Sequence, residues 1–245
     1  MSIINNIFNI VYISSYINSP RLKDLKEHLN ELDINYKIIY GDKYTDINIT
    51  NELNSNRITQ SFYNSFKKND NGFKRLIANY QTHALIFKEF LSTNYDKCLI
   101  IEDDCYFIDN YEKYINPNNI PSDYDYIQYG WENYVFCDSN AKDTHYNKYY
   151  DKLYWGRGGC HCYSITRKAG KNILKNIYPQ YKAIDGFLGD LVFINKTNYP
   201  YDVKPPSKET KLSNSYISVM KIAYGLSQGK DKKYKSAYQE AIKDN

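Results

Sequence analysis

The sequence predicts an α/β domain, a sheet with helices packed on both of its faces. Three observations carry this. Apolar runs of strand length alternate with amphipathic stretches of helical period. The run Lys97-Cys98-Leu99-Ile100-Ile101 is almost continuously apolar, as a central strand covered on both faces requires. Hydrophobic residues make up 42% of the 245 positions, enough for a sizeable core in one large domain.

In chain order, Phe8 to Ile13 reads as a buried first strand. The turn Asn18-Ser19-Pro20 and an amphipathic helix from Leu22 to Leu32 follow. Tyr36 to Tyr40 alternates into a second strand that ends at Gly41-Asp42, which completes a βαβ opening. Residues 42–71 are polar and Asn-rich with weak periodicity, and read as a long connection holding one short helix. Leu76, Tyr80, Ala84, Phe87 and Leu91 then recur at spacings of four and three, one apolar stripe on a helix that ends near Thr93. The apolar strand at residues 97–101 follows and stops at Glu102-Asp103-Asp104. Tyr124 to Tyr129 is the next strand, followed by an irregular aromatic segment up to Gly159. Cys160 to Thr166 alternates as a strand, Lys168 to Ile177 reads as a helix, and Asp185 to Ile194 as another. A terminal helix is expected over Tyr234 to Ile242.

Composition narrows the function classes. Mean hydropathy is -0.69 despite the apolar content, because 28 tyrosines pair buried rings with hydroxyls that seek partners. The net charge of +4 is mild and the lysines are spread along the chain, which argues against nucleic acid as a partner. No run reaches the ~18–20 apolar residues of a transmembrane segment. The first fifteen residues lack the basic start and unbroken apolar stretch of a signal peptide. Cys98, Cys105, Cys137, Cys160 and Cys162 are sparse and odd in number, as suits reduced thiols. Together these features lead us to expect a soluble cytoplasmic enzyme. The bias toward Ile, Asn, Lys and Tyr is that of an AT-rich genome, such as a large DNA virus or certain bacteria.

The sharpest local signal is Glu102-Asp103-Asp104. Three consecutive carboxylates at the end of a buried strand repel one another unless a cation or donors lie between them. Hard oxygen ligands of this kind suit Mg²⁺ or Mn²⁺, ions that share their coordination with substrate phosphates. An acidic triplet can also simply cap a helix or stay solvated, and the buried strand before it is what favours the metal. His161, flanked by Cys160 and Cys162, suggests zinc, but three adjacent residues of a strand cannot converge on one ion. His83 lies beside the apolar stripe of its helix and reads first as a core histidine. Gly156-Arg157-Gly158-Gly159 offers either an ordinary turn or a backbone approach to an anion with Arg157 as partner.

These elements, taken in series, resemble glycosyltransferase family 25, which includes lipooligosaccharide galactosyltransferases and collagen hydroxylysine galactosyltransferases. The first strand with Arg21 resembles the family's N-terminal strand and "dRsxxR" element. ANYQTHALIFKEF resembles its "cxlSHxxiw" helix, and LIIEDDCYF its "lilEDDv" strand. YDYIQYG resembles "fDilyLG", GGCHCYSITRKAGKNIL resembles "GtHaYliSrkgAkklL", and IDGFLGDL resembles "piDxfL". The order covers about Ile7 to Pro206.

The resemblance implies a GT-A type Rossmann-like fold with a mixed sheet flanked by helices. It places the catalytic domain at residues 1–206 and leaves 207–245 as a C-terminal helical extension. It further implies a UDP-hexose donor (galactose or glucose), Mn²⁺ or Mg²⁺, inversion at the anomeric carbon, and a glycan or protein hydroxyl, such as hydroxylysine, as acceptor. Expected donor contacts are Ser14, Tyr16, Arg21, His83, Glu102 and Asp103, with Ser14-Ser15-Tyr16 standing where the family usually has an Asn-Leu pair. Expected metal ligands are Asp103, Asp104 and His161, the histidine being alternatively a buried structural residue. Asp185 or Asp190 is the expected base, drawn from a segment away from the metal cluster. A catalytically silent nucleotide-sugar or glycan-binding module with the same fold is the competing reading, and the intact acidic residues weigh against it.

Overall fold

A computed structural model of the chain describes residues 2–66, 69–131, 143–154, 157–193, 196, 198–219 and 223–225. It comprises helices α1 (Ile3–Ile7), α2 (Leu22–Glu31), α3 (Ile49–Asn54), α4 (Gln60–Phe66), α5 (Asp70–Ser92), α6 (Arg167–Asn176) and α7 (Ile184–Val192). The strands are β1 (Ile10–Tyr16), β2 (Lys37–Gly41), β3 (Lys97–Glu102), β4 (Cys105–Phe107), β5 (Tyr126–Gly130), β6 (Thr144–Asn147), β7 (Tyr150–Lys152), β8 (Cys162–Thr166), β9 (Ser215–Ser218) and β10 (Ala223–Gly225). Eight strands form one mixed sheet in the order β2-β1-β3-β8-β5-β9-β7-β6, and β4 pairs with β10 in a small second sheet. This is the expected α/β architecture, compatible with a GT-A type fold.

Alternation along the central strands sorts side chains into two core layers. Tyr12 and Ile100 pack with Tyr80, Phe87 and Phe90 of α5, Ile173 of α6 and Phe187 of α7. Val11, Ile13, Leu99 and Ile101 face the other way, against Ile4 and Phe8 near the N-terminus and Leu25 and Leu29 of α2. The connection after β2 holds two short helices, and it builds a small core of its own from Ile47, Ile58 and Phe62 against Phe73 and Ile77 of α5. Weak periodicity concealed that structure, because neither helix is long enough to display a stripe.

One expectation fails beyond residue 206. The segment read as a helical extension supplies β9, which lies inside the main sheet between β5 and β7. Tyr216 and Ile217 each enter one of the two core layers, which is why the strand belongs to the domain. The helix expected over residues 234–242 lies outside the described residues.

The topology positions the site. β1, β2 and β3 are parallel and β8 runs antiparallel to β3, so the end of β3 and the start of β8 meet at the same end of these two interior strands. The register Ile101↔Cys162 sets His161 opposite Glu102, and the Glu102 amide donates to the His161 carbonyl at 3.0 Å.

Candidate active site

The three consecutive carboxylates part company as the strand ends. Glu102 turns toward α5, where its Oε1 accepts from Asn79 Nδ2 at 2.9 Å and lies 3.4 Å from His83 Nε2. Its Oε2 lies 3.2 Å from His161 Nδ1. Asp103 turns toward α2: Ser15 Oγ donates to its Oδ2 at 2.8 Å and the Arg21 guanidinium sits 2.7 Å from its Oδ1. Asp104 places Oδ1 3.2 Å from His161 Nδ1 and Oδ2 3.6 Å from Arg21. Arg21 arrives there because β1 ends in a turn that includes Asn18 at φ 65°, a left-handed conformation asparagine tolerates, just before α2 begins.

Each group's proton affinity reflects these surroundings. Burial opposes ionisation of Glu102, yet hydrogen bonds from His161 and His83, and their charge, outweigh it and hold the carboxyl well below the usual range. Burial raises Asp103, with Arg21 pulling the other way and Asp104 adding to the rise.

Glu102, Asp104 and His161 each offer a ligand atom, and these atoms all lie within 4.8 Å of one another. One imidazole nitrogen with two carboxylate oxygens at 3.2 Å from it is a hard donor set, and it could hold a divalent metal ion. Behind it, Asn79 and His83 fix the other oxygen of Glu102, the kind of outer support that metal ligands need.

Several expected roles change. Asp103 is absent from this group: both of its oxygens are engaged by Ser15 and Arg21, so Glu102 takes the place foreseen for it. Arg21 does reach the site, as partner of Asp103 and Asp104. His83 is fully buried, with Nδ1 2.7 Å from the Tyr163 hydroxyl and Nε2 3.4 Å from Glu102 Oε1. Ser14 is buried and its carbonyl accepts from the Asp103 amide at 3.1 Å, while Tyr16 is half-buried at the end of β1, close enough to Arg21 for its phenol to bear on the guanidinium. Cys160 and Cys162 enter opposite core layers, and neither thiol joins the triad. The functions of Asn79 and Ser15 went unread in the sequence. The available signal was the four-residue spacing of Asn79 and His83, which sets both on one helix face.

The two candidate bases separate. Asp185, in the first turn of α7, accepts from the Gly159 amide at 2.9 Å through Oδ2 and from the Gly186 amide at 2.7 Å through Oδ1. Burial raises its proton affinity against these two donors; Glu102 adds to the rise and His161 opposes it, so the carboxyl senses the acidic cluster. Asp190 lies five residues on, about 140° around the helix. It is enclosed by lysines, with Lys196 Nζ at 2.7 Å and Lys182 Nζ at 3.0 Å. Lys211 donates to its backbone carbonyl at 2.6 Å. Two ammonium groups thus engage the Asp190 carboxylate, whereas backbone amides hold that of Asp185. Arg157 is likewise committed, to Asp143 at 2.7 Å and over the Trp131 ring, whereas Gly156 lies outside the described residues.

Among the described residues no helix is long and apolar enough to cross a membrane. No curated protein matches the sequence. Among solved structures, the chain is similar to A197 from STIV, with 16% identity over 85% of this chain and 80% of that one and a TM-score of 0.41. It is also similar to a glycosyltransferase involved in the glycosylation of the major capsid of PBCV-1, with 9% identity over 96% and 98% of the two chains and a TM-score of 0.36. The sequence model of glycosyltransferase family 25 (LPS biosynthesis protein) matches residues 8–188. That span contains the acidic cluster, His161 and Asp185, and the chain belongs to glycosyltransferase family 25.

Proposed function

We propose that this glycosyltransferase moves a hexose, galactose or glucose, from a UDP-sugar to an acceptor hydroxyl on a glycan or a hydroxylysine, with inversion and with Mn²⁺ or Mg²⁺. The observation that carries the reading is the pairing of a Glu102-Asp104-His161 group with a separate carboxylate, Asp185, that senses it across the site. Glu102, Asp104 and His161 would hold the divalent ion, and the chemistry it would supply there is neutralisation of the diphosphate leaving group. Arg21 holds Asp103 and Asp104 in place beside it. Asp185 takes the proton from the acceptor hydroxyl as that oxygen bonds to the anomeric carbon and the bond to the diphosphate breaks on the opposite face. Its raised proton affinity suits a base, and the Gly159 and Gly186 amides keep its oxygens oriented.

The test is a panel of nucleotide sugars incubated with the protein and Mn²⁺, with release of the nucleotide as readout. UDP-galactose or UDP-glucose should be turned over fastest. Faster release from guanosine or adenosine donors would overturn the donor assignment.

A further inference from the structure

We infer that Gln128 is a positioning residue for the reaction, acting on Asp185 through the backbone of Gly159; this rests on Asp185 being the base. Gln128 is 1% exposed in the middle of β5, a strand whose other residues are also buried. A fully buried amide there has to be paired, because an unsatisfied one gives up its water partners with nothing in their place. Its Nε2 points into the loop that precedes β8. It donates to the Gly159 carbonyl in a short contact, with the carbonyls of Arg157 and Gly158 at 3.3 and 3.4 Å. Three successive carbonyls thus converge on one side-chain donor.

The loop has to bend to achieve this. Gly159 adopts φ 82°, a conformation open to glycine and strained for other residues. The same bend aims the Gly159 amide outward at Asp185 Oδ2, 2.9 Å away. Gly159 is thus held at its own carbonyl, and at the Gly158 carbonyl of the peptide unit that carries its N–H, while that N–H is presented to the carboxylate. The Gln128 side chain donates to this loop and, among the described residues, forms no hydrogen bond to Asp185 or the acidic cluster, so its influence passes through the loop. Glu102 and His161 also bear electrostatically on Asp185, and Cys160 and Tyr126 lie close enough to sense its charge.

The consequence is twofold. Removing the donor frees the loop, so Asp185 loses its orientation and the hydrogen bond that favours its ionised form. Gln128→Met keeps the volume and removes the donor; Gln128→Glu sets a carboxylate against three carbonyls. The readout is nucleotide release from UDP-hexose with Mn²⁺, water standing in for the acceptor, over a range of pH. Both variants should lower kcat by ~10-fold or more, within the ~10²-fold that a 1 Å misplacement costs. The acid limb of the profile should move to higher pH, more so for Gln128→Glu, and UDP affinity should stay unchanged. An unshifted acid limb with wild-type kcat in Gln128→Met would overturn the inference, as would a loss of activity matched by an equal loss of UDP affinity.

Asp185→Asn separates this inference from the reading beneath it. If that variant keeps wild-type turnover, the base assignment fails whatever Gln128 does. If it is inactive while Gln128→Met is normal, the positioning role alone fails. Should Gln128→Met not fold, NMR of the wild-type chain decides: the Gly159 amide shift should follow the titration of Asp185, and the Gln128 amide protons should resist exchange. A Gly159 amide indifferent to pH, or freely exchanging Gln128 protons, would refute the role.

Discussion

At the residue scale the account rests on neighbouring side chains being sent to different tasks. Asp185 and Asp190 share a helix, yet one is held by two amides beside the acidic cluster and the other is enclosed by Lys182, Lys196 and Lys211. Asp185→Asn should keep the fold and the metal-dependent affinity for UDP while losing ~10²–10⁴-fold in transfer, the usual contribution of general base catalysis. Turnover near the wild-type rate in that variant would reduce Asp185 to a helix-terminus residue. The importance of Glu102-Asp103-Asp104 was legible from charge at the end of an apolar strand. The division of labour among the three was not, because it depends on Ser15 and Arg21 claiming Asp103 from one side of the sheet and Asn79 and His83 claiming Glu102 from the other.

At the scale of elements, the close approach of α5 to the edge of the sheet keeps Asn79 and His83 against Glu102. Gly41, the last residue of β2, permits it: a Cβ there would lie 1.8 Å from Thr82 Oγ1 and 2.9 Å from Thr82 Cβ. Gly41→Ala should therefore cost ~1–3 kcal/mol as an overpacked contact. At about 2–4 °C per kcal/mol for a chain of this size, the melting temperature falls by several degrees. It should also weaken Mn²⁺ binding, since moving α5 disturbs the support of Glu102. An unchanged melting temperature would show that the helix has room to shift. The apolar stripe from Leu76 to Leu91 made α5 readable, and its start at Asp70 lay hidden because Asn69, whose side chain caps Gly72, stands inside a polar run. The second core layer was harder to foresee. α1 is five residues long, too short for a periodic pattern, yet Ile4 is fully buried.

At the scale of the whole molecule, the strand order is what no local pattern contained. β9 comes from near the end of the chain and lies inside the sheet, parallel to β5 and antiparallel to β7, so residues that read as an appendage form an interior strand. A chain cut after residue 206 should lose β9, and with it the link between β5 and the β6–β7 hairpin. It should show no cooperative thermal unfolding, and a wild-type transition in the shortened chain would contradict this topology. The same long-range pairing of β3 with β8 assembles the candidate metal group from residues 57 positions apart, Asp104 and His161. Calorimetry of UDP binding, with and without Mn²⁺, in the wild type and in Asp104→Ala, tests that assembly most directly. The account predicts that chelation, or loss of Asp104, weakens UDP binding by more than the ~10–100-fold typical of removing an outer partner of a metal site. An affinity for UDP that is the same in all four conditions would contradict it.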